Sequence, residues 1–355
     1  MAEARKLRMG MVGGGPGAFI GPVHRIAAEL DGRIELVAGA FSQSAERSRE
    51  AGVRFHIDPA RAYADYRQMI EAERKRADGI DFVAIVTPNH VHLPVALAAL
   101  EAGIPVMSDK PATATFEEAL KLEAAVQESG LPYGLTHTYA GYAMVREARA
   151  MCAAGTLGDL RKVAVEYFQG WLSGPLETTG HKQAAWRADP AQSGAGGSIG
   201  DIGTHAFHLL EYISGLKATA INATLRSVVP GRRLDDDCNA FLRMSNGAAG
   251  TLACSQVARR DERGASSHLW REGFAGMAAA GSEPVDCEGP RQAGGDSSRG
   301  DELSQCRCVG GGARAGRASR RVSRSLRCAL SRICRCAYGV ETGAGESAAG
   351  HTARD

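Results

Sequence analysis

An alternation of strand-like and helix-like segments over residues 7–137 constrains the fold of this 355-residue chain more than any other feature. Short apolar runs typical of buried strands are each followed by longer stretches with helical periodicity. Such alternation favours a doubly wound parallel sheet of the α/β class, with helices on both faces. The predicted strands cover residues 7–13, 34–41, 81–87, 105–108 and 131–137.

The pattern changes after this region. A helix is predicted over residues 142–154, and a glycine-rich stretch and a further helix lie near residues 190–214. The segment Ser245-Asn246-Gly247 is a hairpin signal. This order favours an α+β domain with an open antiparallel sheet. We therefore expect a first domain over residues 1–138 and a second over residues 139–258. The predicted strands of the second cover residues 160–169, 218–229, 239–244 and 248–257.

The last part of the chain, residues 259–355, has a different composition. Its 97 residues include 16 Arg, no Lys, 16 Gly, six of the nine Cys and only nine Leu, Ile or Val. So few large aliphatic side chains hardly offset the entropy of ordering a backbone. We expect an irregular or disordered tail. It is a basic arm, a cysteine-rich metal segment or, the interpretation we favour, an out-of-frame translation of a GC-rich gene. No metal is expected, because its cysteine pairs are spaced C-x-C rather than C-x2-C.

Composition also excludes several classes of protein. A net charge of +2 gives no reason to expect nucleic-acid binding. No apolar run reaches the ~18 residues of a spanning helix, so a membrane protein is not expected. The N-terminus has no signal-peptide pattern, which favours a cytoplasmic location.

A glycine-rich turn follows the first predicted strand and precedes a helix. It contains Gly13-x-Gly15-x-x-Ala18, a variant of the dinucleotide-binding pattern in its expected context. Glycines there allow a tight turn and let backbone N–H groups approach a pyrophosphate. The other interpretation is a flexible loop.

The end of the second strand bears on the choice of cofactor. A carboxylate at this point would accept hydrogen bonds from the ribose of NAD, but the chain has Phe41 and Ser42 there, with Arg47 and Arg49 following. A hydroxyl near arginines suits the 2′-phosphate of NADP. Both cofactors therefore stay open, and Ser42 could instead simply cap a helix.

Polar residues also follow the third and fourth strands. Ligands of open parallel sheets bind outside the carboxyl ends of the strands, so we expect cofactor contacts here. Lys110 is also placed to donate to a substrate oxygen. Taken alone, the residues after the third strand favour a simple Pro-Asn turn, and Lys110 alone is more typical of a solvated surface lysine. The residues concerned are Thr87, Pro88, Asn89, His92, Asp109 and Lys110.

A fourth group of polar residues lies in the second domain. Asp201 and His205 are spaced i, i+4, which puts them on one face of a helix. A carboxylate so placed orients an imidazole and raises its basicity, which gives a general base. The alternative is an acidic residue at a helix N-terminus and a structural histidine, and His208 on a neighbouring face complicates the assignment.

The order and spacing of these motifs resemble the Gfo/Idh/MocA oxidoreductase family over residues 7–257. The resemblance rests on the glycine-rich turn, Thr87-Pro88-Asn89, Asp109-Lys110-Pro111 and the segment from Trp186 to His205. Asp109 replaces the family's usual Glu. The turn is about three residues longer than usual, so Gly21 and His24 compete with Ala18 for the later positions of the pattern.

The resemblance implies a Rossmann domain followed by an open-sheet domain that is often used in oligomer contacts. It also implies catalytic roles for Lys110, Asp201 and His205. We expect an NAD(P)-dependent oxidoreductase acting on a sugar or polyol, which assembles as a homo-oligomer if the second domain folds. The alternatives are a non-catalytic dinucleotide-binding protein, an inactive frameshifted product or an NAD-dependent glycosidase. Candidate substrate contacts are His137, Tyr139, Lys182 and Arg187.

Overall fold

The computed structural model describes residues 5–258 and the backbone of Met277–Ala278. Its first sheet has five strands: β1 (Leu7–Gly13), β2 (Ile34–Ala40), β3 (Phe82–Val86), β4 (Val106–Asp109) and β5 (Tyr133–Thr136). They pair in the order β2-β1-β3-β4-β5, and every pair is parallel. The predicted parallel sheet is confirmed.

Five helices cover the two faces of this sheet. Successive residues of β3 pack into different apolar clusters, Ala84 into one and Ile85 into the other, as alternation along a strand requires. The last helix has a capping box between Thr115 and Glu118 and ends at the left-handed Gly130. The helices are α1 (Ile20–Glu29), α2 (Ala45–Arg54), α3 (Tyr66–Glu73), α4 (His92–Glu101) and α5 (Phe116–Ser129).

The second sheet is mixed. Its strands are β6 (Lys162–Phe168), β7 (Ala218–Arg226), β8 (Asp237–Met244), β9 (Ala249–Ser255) and β10 (Met277–Ala278), in the order β10-β6-β9-β8-β7. The expected antiparallel pairing holds for β7 with β8, β8 with β9 and β10 with β6. The pairing of β6 with β9 is parallel. This corrects one detail of the expectation: β6 is separated from β9 by the helical segment and by β7 and β8, so the two strands are not joined by a hairpin and can pair in parallel.

Helices pack on one face of the second sheet. Val165 and Leu252 of the sheet share a buried cluster with Ala206 and Leu210. On the opposite face Phe241 is 71% exposed. The helical elements are α6 (Ala143–Ala153), α7 (Lys182–Arg187), α8 (Pro190–Ser193), a π-helical turn (Ile199–Gly203) and α9 (Thr204–Ser214).

Apart from β10, the predicted tail over residues 259–355 lies outside the described residues. The expected domain boundary near residue 138 stays a prediction. Within residues 5–258 and 277–278, no helix combines the length and the apolar character needed to cross a membrane.

Candidate active site

The glycine-rich turn between β1 and α1 is built by close backbone contacts. A Cβ on Gly15 would lie 2.5 Å from the carbonyl oxygen of Phe41, and one on Gly21 would lie 2.3 Å from the Cα of Gly14. Gly21 therefore allows the close packing of α1 that the third position of the motif requires. Ala18 instead closes the turn, where its N–H donates to the Gly15 carbonyl at 3.0 Å. Gly13 ends β1 with φ +85°.

The segment after β2 presents backbone rather than side chains to this turn. The Phe41 ring is buried and packs edge-on against Phe55 at 5.1 Å. The Ser42 hydroxyl accepts from the Ser44 N–H at 3.2 Å, and Ser44 is the residue that caps α2. Arg47 and Arg49 are exposed.

The residues after β3 connect three parts of the molecule. Asn89 is buried in a short 3-10 turn that follows Pro88, and its side-chain amide donates to the Ser193 carbonyl at 2.8 Å. His92 lies between two carbonyl oxygens: its Nδ1 is 2.7 Å from that of Pro111 and its Nε2 is 3.0 Å from that of Thr87. His92 thereby holds the Thr87 segment against the one that carries Lys110.

Asp109 ends β4 beside a buried histidine. One carboxylate oxygen accepts the Lys110 N–H at 2.8 Å, and the other is 4.0 Å from Nε2 of His24. His24 is fully buried, and neither of its ring nitrogens has a hydrogen-bond partner among the described residues. Burial lowers the pKa of His24, and the charge of Asp109 only partly opposes this shift.

Lys110 reaches across to the second domain and contacts Asp201. Its ammonium donates to the Asp201 carboxylate at 2.8 Å and to the Asp201 backbone carbonyl. The other carboxylate oxygen accepts from Arg187 Nε at 3.1 Å and from Gln256 Nε2 at 2.8 Å. Burial would raise the pKa of Asp201, but the charges of Lys110 and Arg187 outweigh it and hold that pKa well below its usual range. Asp201 is thus an ionised, fixed carboxylate.

The position of Asp201 depends on the π-helical turn. The Asp235 carboxylate accepts from the Gly197 and Ile199 N–H groups at 2.7 and 2.8 Å, which fixes the start of this turn. The backbone over Ile199–Gly203 is π-helical rather than α-helical. Both oxygens of the Asp201 carboxylate accept hydrogen bonds from Lys110, Arg187 and Gln256. Within the described part of the chain no hydrogen bond joins Asp201 to His205. The structure therefore gives Asp201 a different partner from the predicted one: it fixes Lys110.

The buried His205 ring lies among half-buried aromatic rings. The Tyr139 ring is 4.6 Å and the His137 ring 6.1 Å from it, centroid to centroid. Burial and the nearby charge of Lys110 lower the pKa of His205 well below its ordinary value, which keeps the imidazole neutral. His137 in turn stacks on His208 at 3.8 Å. Burial, together with His208 and Lys110, lowers the pKa of His137 to about 3.

The four predicted substrate contacts lie at three different places in the structure. His137 and Tyr139 lie around His205, and the Tyr139 hydroxyl shares a hydrogen bond of 2.6 Å with that of Tyr167. Arg187 contacts Asp201, with its guanidinium 4.2 Å from the centroid of a Trp186 ring. Lys182 is exposed and lies beside the glycine-rich turn instead.

Some residues of this site were not predicted. Gln256 follows β9, and Gln183 of α7 accepts from Arg187 Nη1 at 2.7 Å through its side-chain oxygen. Neither residue has a local sequence signal. Gln256 is identified only by its contact with Asp201, 55 residues away along the chain, and Gln183 lies in the short helix α7, which the sequence did not predict. Among residues 5–258, no three His, Cys, Asp or Glu side chains group as metal ligands would.

The geometry fits a dinucleotide. The turn brings backbone N–H groups to the N-terminus of α1. Beyond the chain neighbours of Gly17, only Lys182 atoms among the described residues lie within 4.0 Å of a Cβ built there. The carboxyl ends of β3 and β4 carry Asn89 and Lys110 at the adjacent edge of the sheet. A ligand that spans this edge would extend from the turn towards His205.

Comparisons with known families agree with this geometry. The family model described as the oxidoreductase family, NAD-binding Rossmann fold, matches residues 7–137. The model of the GFO/IDH/MocA C-terminal domain matches residues 145–270.

Individual proteins are also similar. The uncharacterized oxidoreductase YfiI of Bacillus subtilis is 36% identical over 260 residues, 72% of this chain and 65% of YfiI, so this chain spans less than two thirds of that relative. The levoglucosan dehydrogenase of Pseudarthrobacter phenanthrenivorans is 26% identical over 72% of this chain and 68% of its own length. An inositol dehydrogenase homolog from Azotobacter vinelandii, complexed with NADH and myo-inositol, is 35% identical with a TM-score of 0.69, covering 78% of this chain and 69% of its own.

Proposed function

Because this chain belongs to the Gfo/Idh/MocA oxidoreductase family, we propose that it is an NAD(P)-dependent oxidoreductase acting on a hydroxyl or keto group of a sugar, polyol or derivative. One observation carries the proposal: Lys110 at the carboxyl end of β4 is held by Asp201, beside the neutral His205. A cation that binds an oxygen and a neutral base next to it are what removal of a hydroxyl proton requires.

The cofactor would be held by the glycine-rich turn, through Gly13, Gly15 and Gly21, and by the residues after the strands. The Phe41-Ser42 backbone borders the turn, while Asn89 and Lys110 lie at the ends of β3 and β4. When bound, the nicotinamide supplies the centre that accepts or gives up hydride.

Each residue of the cluster has a role that follows from its contacts. Lys110 uses two of its three N–H donors on Asp201, so the third is available for a substrate oxygen. His205 is neutral and so accepts the hydroxyl proton, or returns it in the reverse direction. Asp201 fixes Lys110 and is itself fixed by Arg187 and Gln256. His137 and Tyr139, which surround His205, would contact the substrate.

The proposed substrate class and cofactor are based on the relatives of this chain. Myo-inositol is a polyol, levoglucosan is an anhydrosugar, and the inositol dehydrogenase homolog was crystallised with NADH. These favour NAD and a polyhydroxylated substrate. Ser42 with the exposed Arg47 and Arg49 keeps NADP as the competing cofactor.

A titration of the full chain with NADH and NADPH, read by fluorescence, tests the cofactor site. We expect saturable binding of at least one, with a raised melting temperature. Gly15→Val is the matched variant, since its side chain would meet the Phe41 carbonyl. The proposal fails if neither nucleotide binds to a chain that melts cooperatively.

We also propose that the chain assembles as a homo-oligomer in the cytoplasm. The second sheet leaves Phe241 exposed on one face, an apolar surface of the kind that protein contacts cover. Cys238 and Cys254 are opposite each other on β8 and β9 and are free thiols, which suits a reducing compartment. Sedimentation of the purified chain tests the assembly, and a monomer at all concentrations would overturn it.

A further inference from the structure

Helix α7 of the second domain lies against the glycine-rich turn of the first. The Gln183 side-chain amide donates to the Gly17 carbonyl at 3.4 Å. A Cβ at Gly17 would have both Cδ and Nζ of Lys182 at 4.0 Å and, apart from Gly17 and its two chain neighbours, no other described atom within that distance. The ammonium of Lys182 therefore lies next to the outer side of the turn.

The turn itself has no positive side chain. Residues 13–21 contain no Lys, Arg or His. The nearest arginine along the chain, Arg25, donates to Glu29 at 3.2 Å, and its guanidinium lies 5.1 Å from the Phe55 ring centroid. A diphosphate in the turn would thus receive backbone N–H groups from the first domain, while any side-chain cation would come from another part of the chain.

We propose that Lys182 binds the diphosphate of the dinucleotide from the second domain and does not contact the substrate; this rests on the proposed function. Ammonium–phosphate contacts are charge-assisted hydrogen bonds and are stronger than neutral ones. The exposed side chain has the freedom to move from its position near Gly17 onto a phosphate oxygen.

The same helix connects this position to the catalytic cluster. Gln183 accepts from Arg187 at 2.7 Å, and Arg187 donates to Asp201 at 3.1 Å. Asp201 in turn holds Lys110. A diphosphate that binds Lys182 therefore holds the helix that positions Asp201.

Binding of three ligands to the full chain tests this role: NADH, ADP-ribose, which has the diphosphate but no nicotinamide, and adenosine, which has neither. We expect Lys182→Ala to weaken NADH and ADP-ribose about tenfold, the loss typical of one hydrogen bond to a charged group, and to leave adenosine unchanged. Lys182→Arg should restore most of the affinity. Lys121→Ala removes an exposed lysine on α5 and should change nothing.

The outcomes separate this inference from the proposed function. If the parent chain binds both dinucleotide ligands and Lys182→Ala binds them equally well, the inference is wrong while the proposed function stands. If that variant instead raises only the KM of the substrate, Lys182 is a substrate contact. A parent chain that binds neither NADH nor ADP-ribose overturns both.

Discussion

The two sheets differ in how completely they are covered. All five residues of β3, in the middle of the first sheet, are buried, whereas eight of the nine residues of β7, at the edge of the second, are exposed. Helices pack on both faces of the first sheet but on one face of the second. The first sheet is thus stabilised by helices packed on both of its faces, while the open face of the second is suited to contact with another surface.

The candidate active site draws on both regions. Lys110 follows β4 of the first sheet, and Asp201 lies in the π-helical turn packed on the second. The first sheet therefore supplies the ammonium of Lys110, and the second, less covered region supplies Asp201, which holds it. Changes in the two regions should accordingly act differently on stability and on turnover.

The largest difference is expected for one side chain in each sheet. Ile85 is fully buried, whereas Ile221 on β7 is 63% exposed. Ile85→Ala should lower the free energy of unfolding by about 2–5 kcal/mol, because it leaves a cavity. Ile221→Ala should change it by about 0.5 kcal/mol or less. Denaturant unfolding measures both. An equally large loss for Ile221→Ala would show that the edge strand β7 is covered in solution. That result would remove the contrast between the sheets and would fit contact through β7 in the proposed homo-oligomer.

Catalysis should depend on side chains from both regions. Lys110→Ala and His205→Ala should each lower kcat by about 10² or more, because each removes a group that handles the reacting oxygen or its proton. Both variants should keep the far-UV circular dichroism of the parent chain. Lys121→Ala is the control for loss of a lysine charge. Near-normal turnover in both variants would contradict the assignment.

The first sheet was largely predictable because its signals are local. Strand β1 matches its predicted bounds, and the apolar run of β3 is flanked by turn residues that limit its ends. The glycines of the turn also predict the close contacts that Gly15 and Gly21 make. The third position of the motif was open between Ala18, Gly21 and His24, and of these Gly21 makes the close backbone approach, 2.3 Å from a Cβ there to the Cα of Gly14.

Much of the second region depends on contacts that a local pattern does not contain. The parallel pairing of β6 with β9 joins segments more than 80 residues apart. Helix α7 has only six residues, too few for a helical period to be evident. The π-helical turn is fixed by Asp235. The Asp201 carboxylate contacts Lys110 and Gln256, which lie 91 and 55 residues away along the chain, so its spacing from His205 does not reveal these partners.

The histidines near the active site should make stability depend on pH. The pKa of His137 is lowered to about 3, against about 6.5 in an unfolded chain. Between these values the unfolded chain binds a proton that the folded chain excludes, so stability falls as the pH falls. From about pH 6 to about pH 4, the parent chain should lose about 1 kcal/mol per pH unit more than His137→Phe. Above about pH 7 the two curves should run parallel, and equal slopes throughout would refute the assignment.

The smallest effect is expected at His24, whose ring nitrogens have no hydrogen-bond partner within residues 5–258. A glutamate at position 109 is about 1.5 Å longer than Asp109, enough to close the 4.0 Å gap to Nε2 of His24. Asp109→Glu should therefore stabilise the chain by about 1 kcal/mol, one hydrogen bond. Asp159→Glu, at an exposed position, is the matched control. A destabilised Asp109→Glu variant would contradict this prediction.

Turnover by the full chain tests the central claim most directly. The purified chain would be incubated with NAD+ or NADP+ and a panel of polyols and sugars, and the reduced nucleotide followed by absorbance, with His205→Ala in parallel. The account predicts that the parent chain oxidises at least one polyhydroxylated compound and that the variant is slower by about 10² or more. A parent chain that binds the nucleotide but oxidises no member of the panel, or a variant as fast as the parent, would contradict it.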